Sequence, residues 1–165
     1  MRKLLYSAAF ILISLGVLVL AAGSQAASDD SAKIPSPSEI SGVWKGYLYP
    51  QAGAQVRVYA VFRSSGTETA VQLLTPSSPW VEDSQALCIL EQSAECDKAV
   101  SFSDVSGLLG LSSDGEGGYS GVSQPSGEDI KISGDAQKLR FSLNKAGADG
   151  SVQQFTGVLE NHLKA

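Results

Sequence analysis

Chemistry-bearing side chains are scarce in this chain: 165 residues contain one histidine, two cysteines and one methionine. The histidine, His162, falls in the terminal "ENHLKA". A Ser-His-Asp or Cys-His arrangement needs its imidazole held against a nucleophile and oriented by a third group, and a chain end is a poor place to hold one. No Gly-x-Ser-x-Gly elbow is present. Paired acids do not fill the gap. Glu82 with Asp83, and Glu128 with Asp129, are adjacent; on extended backbone each pair points to opposite faces, so they read as solvated turn acids. In "SSDGEGG", Asp114 and Glu116 lack the twelve-residue calcium pattern, and an Asp-Gly hairpin turn accounts for them. The expectation is a protein that is not an enzyme, with no metal and no other cofactor.

Basic stripes are also missing, and after the first 22 residues so are long apolar runs. The N-terminus "MRKLLYSAAFILISLGVLVLAAGSQA" has a basic start at Arg2 and Lys3, an apolar run from Leu4 to Ala22, and small residues at Ser24 and Ala26. These are the parts of a secretory signal, cleaved after Ala26, and residues 1–26 are assigned to it. The alternative is an uncleaved membrane anchor, because about 20 apolar residues span a bilayer. No cysteine follows the run to be acylated as in a bacterial lipoprotein. Processing would leave 139 residues, with ten basic against 17 acidic side chains and a net charge of −7. An acidic domain of that size closes one core, repels polyanions and so does not bind nucleic acid. The expected location is periplasmic or secreted, with a mature domain that does not span the membrane.

Cys88 and Cys96 fit that compartment as one structural disulfide, since seven intervening residues match neither a Cys-x-x-Cys redox pair nor a zinc knuckle.

Helical periodicity is the other absence. Residues 27–39, "ASDDSAKIPSPSE", read as a flexible linker. From residue 40 to 165 short stretches alternate apolar and polar side chains between Gly, Ser, Asp and Pro. In "QVRVYAVFR", Val56, Val58, Ala60 and Phe62 share one face; in "DIKIS" and "KLRFSLN", Ile130, Ile132, Leu139, Phe141 and Leu143 do so across the turn "SGDAQ". Further strands are placed at 42–49, 69–75, 86–91, 98–103, 118–123 and through "SVQQFTGVLEN", with 105–113 a strand or a short helical turn. About eight antiparallel strands avoid open edges by closing into an up-and-down barrel or by stacking as a two-sheet β-sandwich. Gly46, Gly121 and Gly157 lie inside strands, where glycine marks strong curvature, and favour the barrel.

The stretch "SGVWKGYLYP", 41–50, opens the first strand. Its Gly-x-Trp pattern, Gly42 and Trp44, and the fuller "GVWKGYL" with Gly46, resemble the opening signature of the lipocalins and the wider calycin group. The resemblance implies a small barrel that cups an apolar or amphipathic molecule. It also implies that Trp44 plugs the closed end, flanked by Gly42 and backed by Arg140 from a late strand. Two functions are carried forward. One is a binding protein holding a small hydrophobic ligand inside the barrel, although Phe62, Phe102, Phe141, Phe155 and Trp44 are large enough to fill an eight-stranded interior. The other is a structural or inhibitor-type module that binds another exported macromolecule through "TPSSPWVEDSQ", 75–85, and outward tyrosines. Its contact residues would be Trp80, Tyr47, Tyr49 and Tyr59, with Trp80 either folded down as a lid or standing out as an anchor.

Overall fold

The alternating segments form eight strands in a computed structural model that describes residues 35–94, 96, 99–115, 117–123 and 127–162. The signal at 1–26 and the linker as far as 34 lie outside the described residues. In chain order the elements are α1 (Pro37–Ile40), β1 (Gly42–Pro50), β2 (Val56–Ser65), β3 (Glu68–Pro76), α2 (Asp83–Leu90), β4 (Phe102–Ser113), β5 (Gly118–Val122), β6 (Asp129–Gly134), β7 (Lys138–Ala146) and β8 (Val152–Asn161). Each strand pairs antiparallel with the next. β8 returns to β1, with Trp44 opposite Asn161 and Leu48 opposite Gly157. The sheet is therefore a closed up-and-down barrel, and the sandwich alternative does not apply.

The two-residue period decides what fills it. Trp44, Leu48, Val58, Ala60, Phe62, Val71, Leu73, Leu109, Ile130, Ile132, Leu139, Phe141, Leu143 and Leu159 are buried members of one inward-facing cluster. Each fully buried aliphatic or Phe side chain contributes about 1.5–3 kcal/mol, against about 0–1 kcal/mol for an exposed ion pair. The interior therefore carries the stability, and surface charges orient rather than hold. Curvature depends on glycine where strands approach closely. A Cβ on Gly46 would collide with the Val158 carbonyl, and one on Gly157 with the Phe141 ring.

One end is closed by the last residues of the expected linker. From Pro35 to Glu39 they form not a tether but a capped helical turn, in which Ser36 N and Oγ both donate to Glu39 Oε2 at 2.7 Å. Ile40 packs into the interior, the Trp44 indole Nε1 donates to its carbonyl at 2.8 Å, and Tyr119 Oη donates to the Pro35 carbonyl at 2.9 Å. Burial raises the Tyr119 pKa, with Glu39 adding to the shift.

The wall is thinner toward the other end. β4 pairs with β3 from Phe102 to Leu111, but among the described residues it pairs with β5 only over Leu111–Ser113. Lys145 of β7 spans the notch, donating to the Val105 carbonyl at 2.8 Å and pairing with Glu128 at 3.3 Å. Glu128, expected as a solvated turn acid, is buried there.

Two strand assignments change. Residues 86–91 were expected to be extended, but 83–90 form α2, whose Ala86, Leu87 and Leu90 share the helical spacing that lays one face on the barrel exterior. The ambiguous 105–113 belongs to β4, which begins at Phe102; part of the expected 98–103 strand lies outside the described residues.

Candidate functional site

Outward positions on β1, β2 and β8 build a shallow groove of about 370 Å³, lined by Lys45, Tyr47, Tyr49, Arg57, Asp83 and Glu160 among others. Cross-strand register explains the grouping: Tyr47 stands opposite Arg57 on one side and Val158 on the other, and Lys45 opposite Tyr59 and Glu160. Successive outward residues on a strand lie about 7 Å apart, so Tyr47 and Tyr49 form adjacent steps of one face. Both are 45% exposed.

Asp83, the first residue of α2, organises one side of the groove. Its Oδ1 accepts from Arg57 Nη1 at 3.2 Å and from the Tyr59 hydroxyl at 2.5 Å, while Oδ2 lies 3.8 Å from Lys45 Nζ. Arg57 Nη2 also donates to the Val81 carbonyl at 2.5 Å, which pins the chain immediately after Trp80. Trp80 itself is 89% exposed and does not fold down as a lid. Its neighbour Val81 turns inward with Val43, Tyr59, Val61, Leu74, Ala86, Leu87, Leu90 and Phe102, a second apolar cluster that seats α2 outside the barrel.

The sequence-derived site residues divide accordingly. Tyr47, Tyr49 and Trp80 are exposed, two on β1 and one on the segment that Arg57 holds. Tyr59 faces outward as its alternation predicts, but it is buried beneath α2 and so is not an exposed contact. That burial, reinforced by the hydrogen bond to Asp83, pushes its hydroxyl pKa well above the ordinary tyrosine value. Trp44 is fully buried and meets Phe62 edge-on at 6.1 Å. Gly42 opens β1 at φ 120°, in the region that favours glycine. Arg140 does not back Trp44. It is exposed on the outer face of β7, opposite Val158, because the inward positions of that strand are Leu139, Phe141 and Leu143. Cys88 and Cys96 are bonded, with Cα atoms 5.7 Å apart, and close a loop at the end of α2.

Sequence reasoning missed three polar groups. Asp83 and Arg57 are brought together from 26 positions apart by the outward packing of α2. His162, expected at a frayed terminus, is held: its Nδ1 lies 2.9 Å from the Val43 carbonyl and its Nε2 2.5 Å from Glu91 Oε1. No local spacing signals these contacts, since each joins segments distant in the chain. Asp114 does follow the turn reading, with its Oδ1 accepting from Gly118 N at 2.7 Å.

Chemically, the groove offers aromatic faces beside charges already paired with one another, an arrangement suited to recognition. No described group in it is set as an activated nucleophile.

No protein-family model matches the chain, and no curated protein matches it. Solved structures do. EF1p2_mFAP2b bound to DFHBI aligns at a TM-score of 0.49 and 11% identity, covering 80% of this chain and 98% of that one. An odorant binding protein, OBP1, aligns at 0.45 and 12% identity over 79% and 80%. Bovine odorant binding protein complexed with its natural ligand aligns at 0.42 and 15% identity over 77% of this chain and 74% of the other.

Proposed function

We propose that this protein is an exported, non-enzymatic recognition domain that engages another exported macromolecule through the outer face formed by Trp80, Tyr47 and Tyr49. The observation that carries the reading is the placement of Trp80. A large aromatic stands almost fully in solvent on a segment anchored by the Arg57–Val81 and Arg57–Asp83 contacts. Exposed, pre-positioned aromatics of this kind act as anchors in interfaces, because little freedom is lost when they are buried. The Cys88–Cys96 disulfide accords with an oxidising compartment.

The barrel-ligand reading has less support, since the described inward side chains form one continuous apolar cluster from Ile40 to Leu143, with Phe155 packed against it. Site-specific photocrosslinking in the native host decides between the two. A photoreactive residue at position 80 is expected to give a discrete macromolecular adduct, while one at the exposed Lys131 of β6 gives none. Absence of an adduct at 80, together with a small-molecule mass excess in native mass spectrometry that is lost on denaturation, would overturn the docking reading in favour of the interior one.

A further inference from the structure

We infer that the recognition face takes an acidic segment of a protein partner, held extended with a carboxylate at each end of a row of side chains that crosses the barrel wall from Arg57 to Arg140. The inference rests on the docking reading and names the chemistry of its partner. Pairing register builds the row. On the outer face Arg57 of β2 stands opposite Tyr47 of β1, Tyr47 opposite Val158 of β8, and Val158 opposite Arg140 of β7. Neighbouring strands lie about 4.8 Å apart, so the two arginine positions are about 14 Å apart, with an aromatic and an aliphatic side chain between them. Lys131 stands outside the row, one strand beyond Arg140 and in register with Ser142.

Charge separates the two ends from the middle. At the first end Asp83 is shared by Arg57, at 3.2 Å, and Lys45, at 3.8 Å, so two cations face one carboxylate. At the other end Lys138 pairs with Glu160 at 3.6 Å, and Arg140, the next outward position of β7, is exposed and makes no ion pair among the described residues. Each end therefore carries one positive charge in excess, although the chain as a whole has a net charge of −5. The overall charge does not cancel the local excess, because at physiological ionic strength exposed charges more than about 8 Å apart are largely screened. Tyr47 and Val158, which both line the groove, leave the middle of the row uncharged.

An extended polypeptide matches this spacing. Its side chains at alternate positions lie on one face about 7 Å apart, so an acid–x–apolar–x–acid segment sets its carboxylates about 14 Å apart and its apolar side chain over Tyr47 and Val158. Arg140 presents its guanidinium fork to one carboxylate, the geometry that makes such pairs strong and directional. The other carboxylate meets Lys45 and Arg57, beside the segment carrying Trp80, which Arg57 holds through the Val81 carbonyl. The aliphatic Val158 offers nothing to a sugar hydroxyl, which favours a polypeptide over an acidic polysaccharide.

Nuclear magnetic resonance titration of the isotope-labelled chain tests this, with the synthetic peptide Ser-Glu-Ser-Leu-Ser-Glu-Ser as the probe. The amides of Tyr47, Val158 and Arg140 are expected to shift, and affinity to fall about tenfold in R140E and again when salt is raised to about 0.5 M. Replacing both peptide glutamates by glutamine should weaken binding to the same degree. R63E makes the same change in net charge on the outer face of β2, where Arg63 stands opposite Ala70 and away from the row, and should leave affinity within about twofold. No shift at the three amides, or equal losses in R140E and R63E, would overturn the inference. Shifts there with polygalacturonate but not with the peptide would overturn it in favour of a polysaccharide. None of these results bears on the position-80 crosslink, so failure of the acidic-partner inference and failure of the docking reading are distinguishable.

Discussion

Tyr59 of β2 donates its hydroxyl proton to Asp83 at the start of α2, at the edge of the apolar cluster between the barrel exterior and the helix. The bond unites two features that the chain keeps separate: a tyrosine whose ring is core, and an acid that also holds Arg57. Because the acceptor is ionised and the donor buried, Tyr59→Phe is expected to cost about 1–2 kcal/mol, less than a fully isolated charged bond because Arg57 still pairs with Asp83. The pH profile supplies an independent check. The folded state holds the Tyr59 proton to higher pH than the unfolded chain does, so the unfolded state ionises first and stability falls as pH rises above the ordinary value of 10.0. Urea denaturation at neutral and alkaline pH should show that decline in wild type and a flatter profile in Tyr59→Phe.

The two tryptophans occupy opposite environments, one fully buried and one almost fully exposed. Trp80→Phe should change stability by less than about 0.5 kcal/mol and remove the emission that acrylamide quenches readily. Trp44→Ala should cost about 3–5 kcal/mol by opening a cavity beneath α1, and leave only the quenchable emission. A Trp44 signal as accessible to acrylamide as that of Trp80 would contradict the closed barrel end.

Gly157 sits where β8 crosses the Phe141 ring and the Tyr47 carbonyl. A methyl group there must displace backbone or an aromatic core residue. Gly157→Ala is therefore expected to destabilise by about 1–3 kcal/mol despite adding one carbon. Thermal unfolding checks this, with Gly110→Ala, where no atom lies within 4 Å of the added carbon, as the tolerated control.

Lys145 of β7 braces the notch between β4 and β5 by meeting both the Val105 carbonyl and Glu128. Lys145→Met leaves a buried carboxylate without its counter-ion, whereas adding Glu128→Gln removes the charge as well. The single variant should lose about 1–3 kcal/mol, discounted from a fully buried pair because the lysine is partly exposed, and the double variant should recover part of that loss. Equal stability of the two variants in chemical denaturation would show that the brace carries no charge coupling.

Opening the Cys88–Cys96 bond, by replacing both residues with serine, releases a loop of about nine residues, for which chain entropy gives about 2–3 kcal/mol. The loop hangs from α2 rather than from a strand, so the expected effect is a lower denaturation midpoint together with faster hydrogen exchange in α2, while the protection of β1 and β8 keeps its order relative to the other strands.

Most of the barrel was legible in the sequence, for a definite reason. A strand wall with one face in the core writes its burial at every second residue, so Val56 to Phe62 and Ile130 to Leu143 declare their faces locally. Strand number and internal glycines favoured closure over a two-sheet sandwich, and the β8–β1 pairing established it. α2 was less legible: "DSQALCIL" is short, is apolar on both sides, and packs against an outer face whose own apolar residues, Val43, Tyr59 and Val61, looked like ordinary strand exterior.

The chain by itself therefore determined most of the strands, their inward faces and the disulfide partners. Each depends on local period, local composition or a count. Only the tertiary structure decided that Trp80 stands in solvent, that Tyr59 is covered while Tyr47 and Tyr49 are not, and that Asp83 meets Arg57 and His162 meets Glu91. Those outcomes depend on which outer face α2 covers, a choice set by long-range packing that no short stretch of sequence encodes.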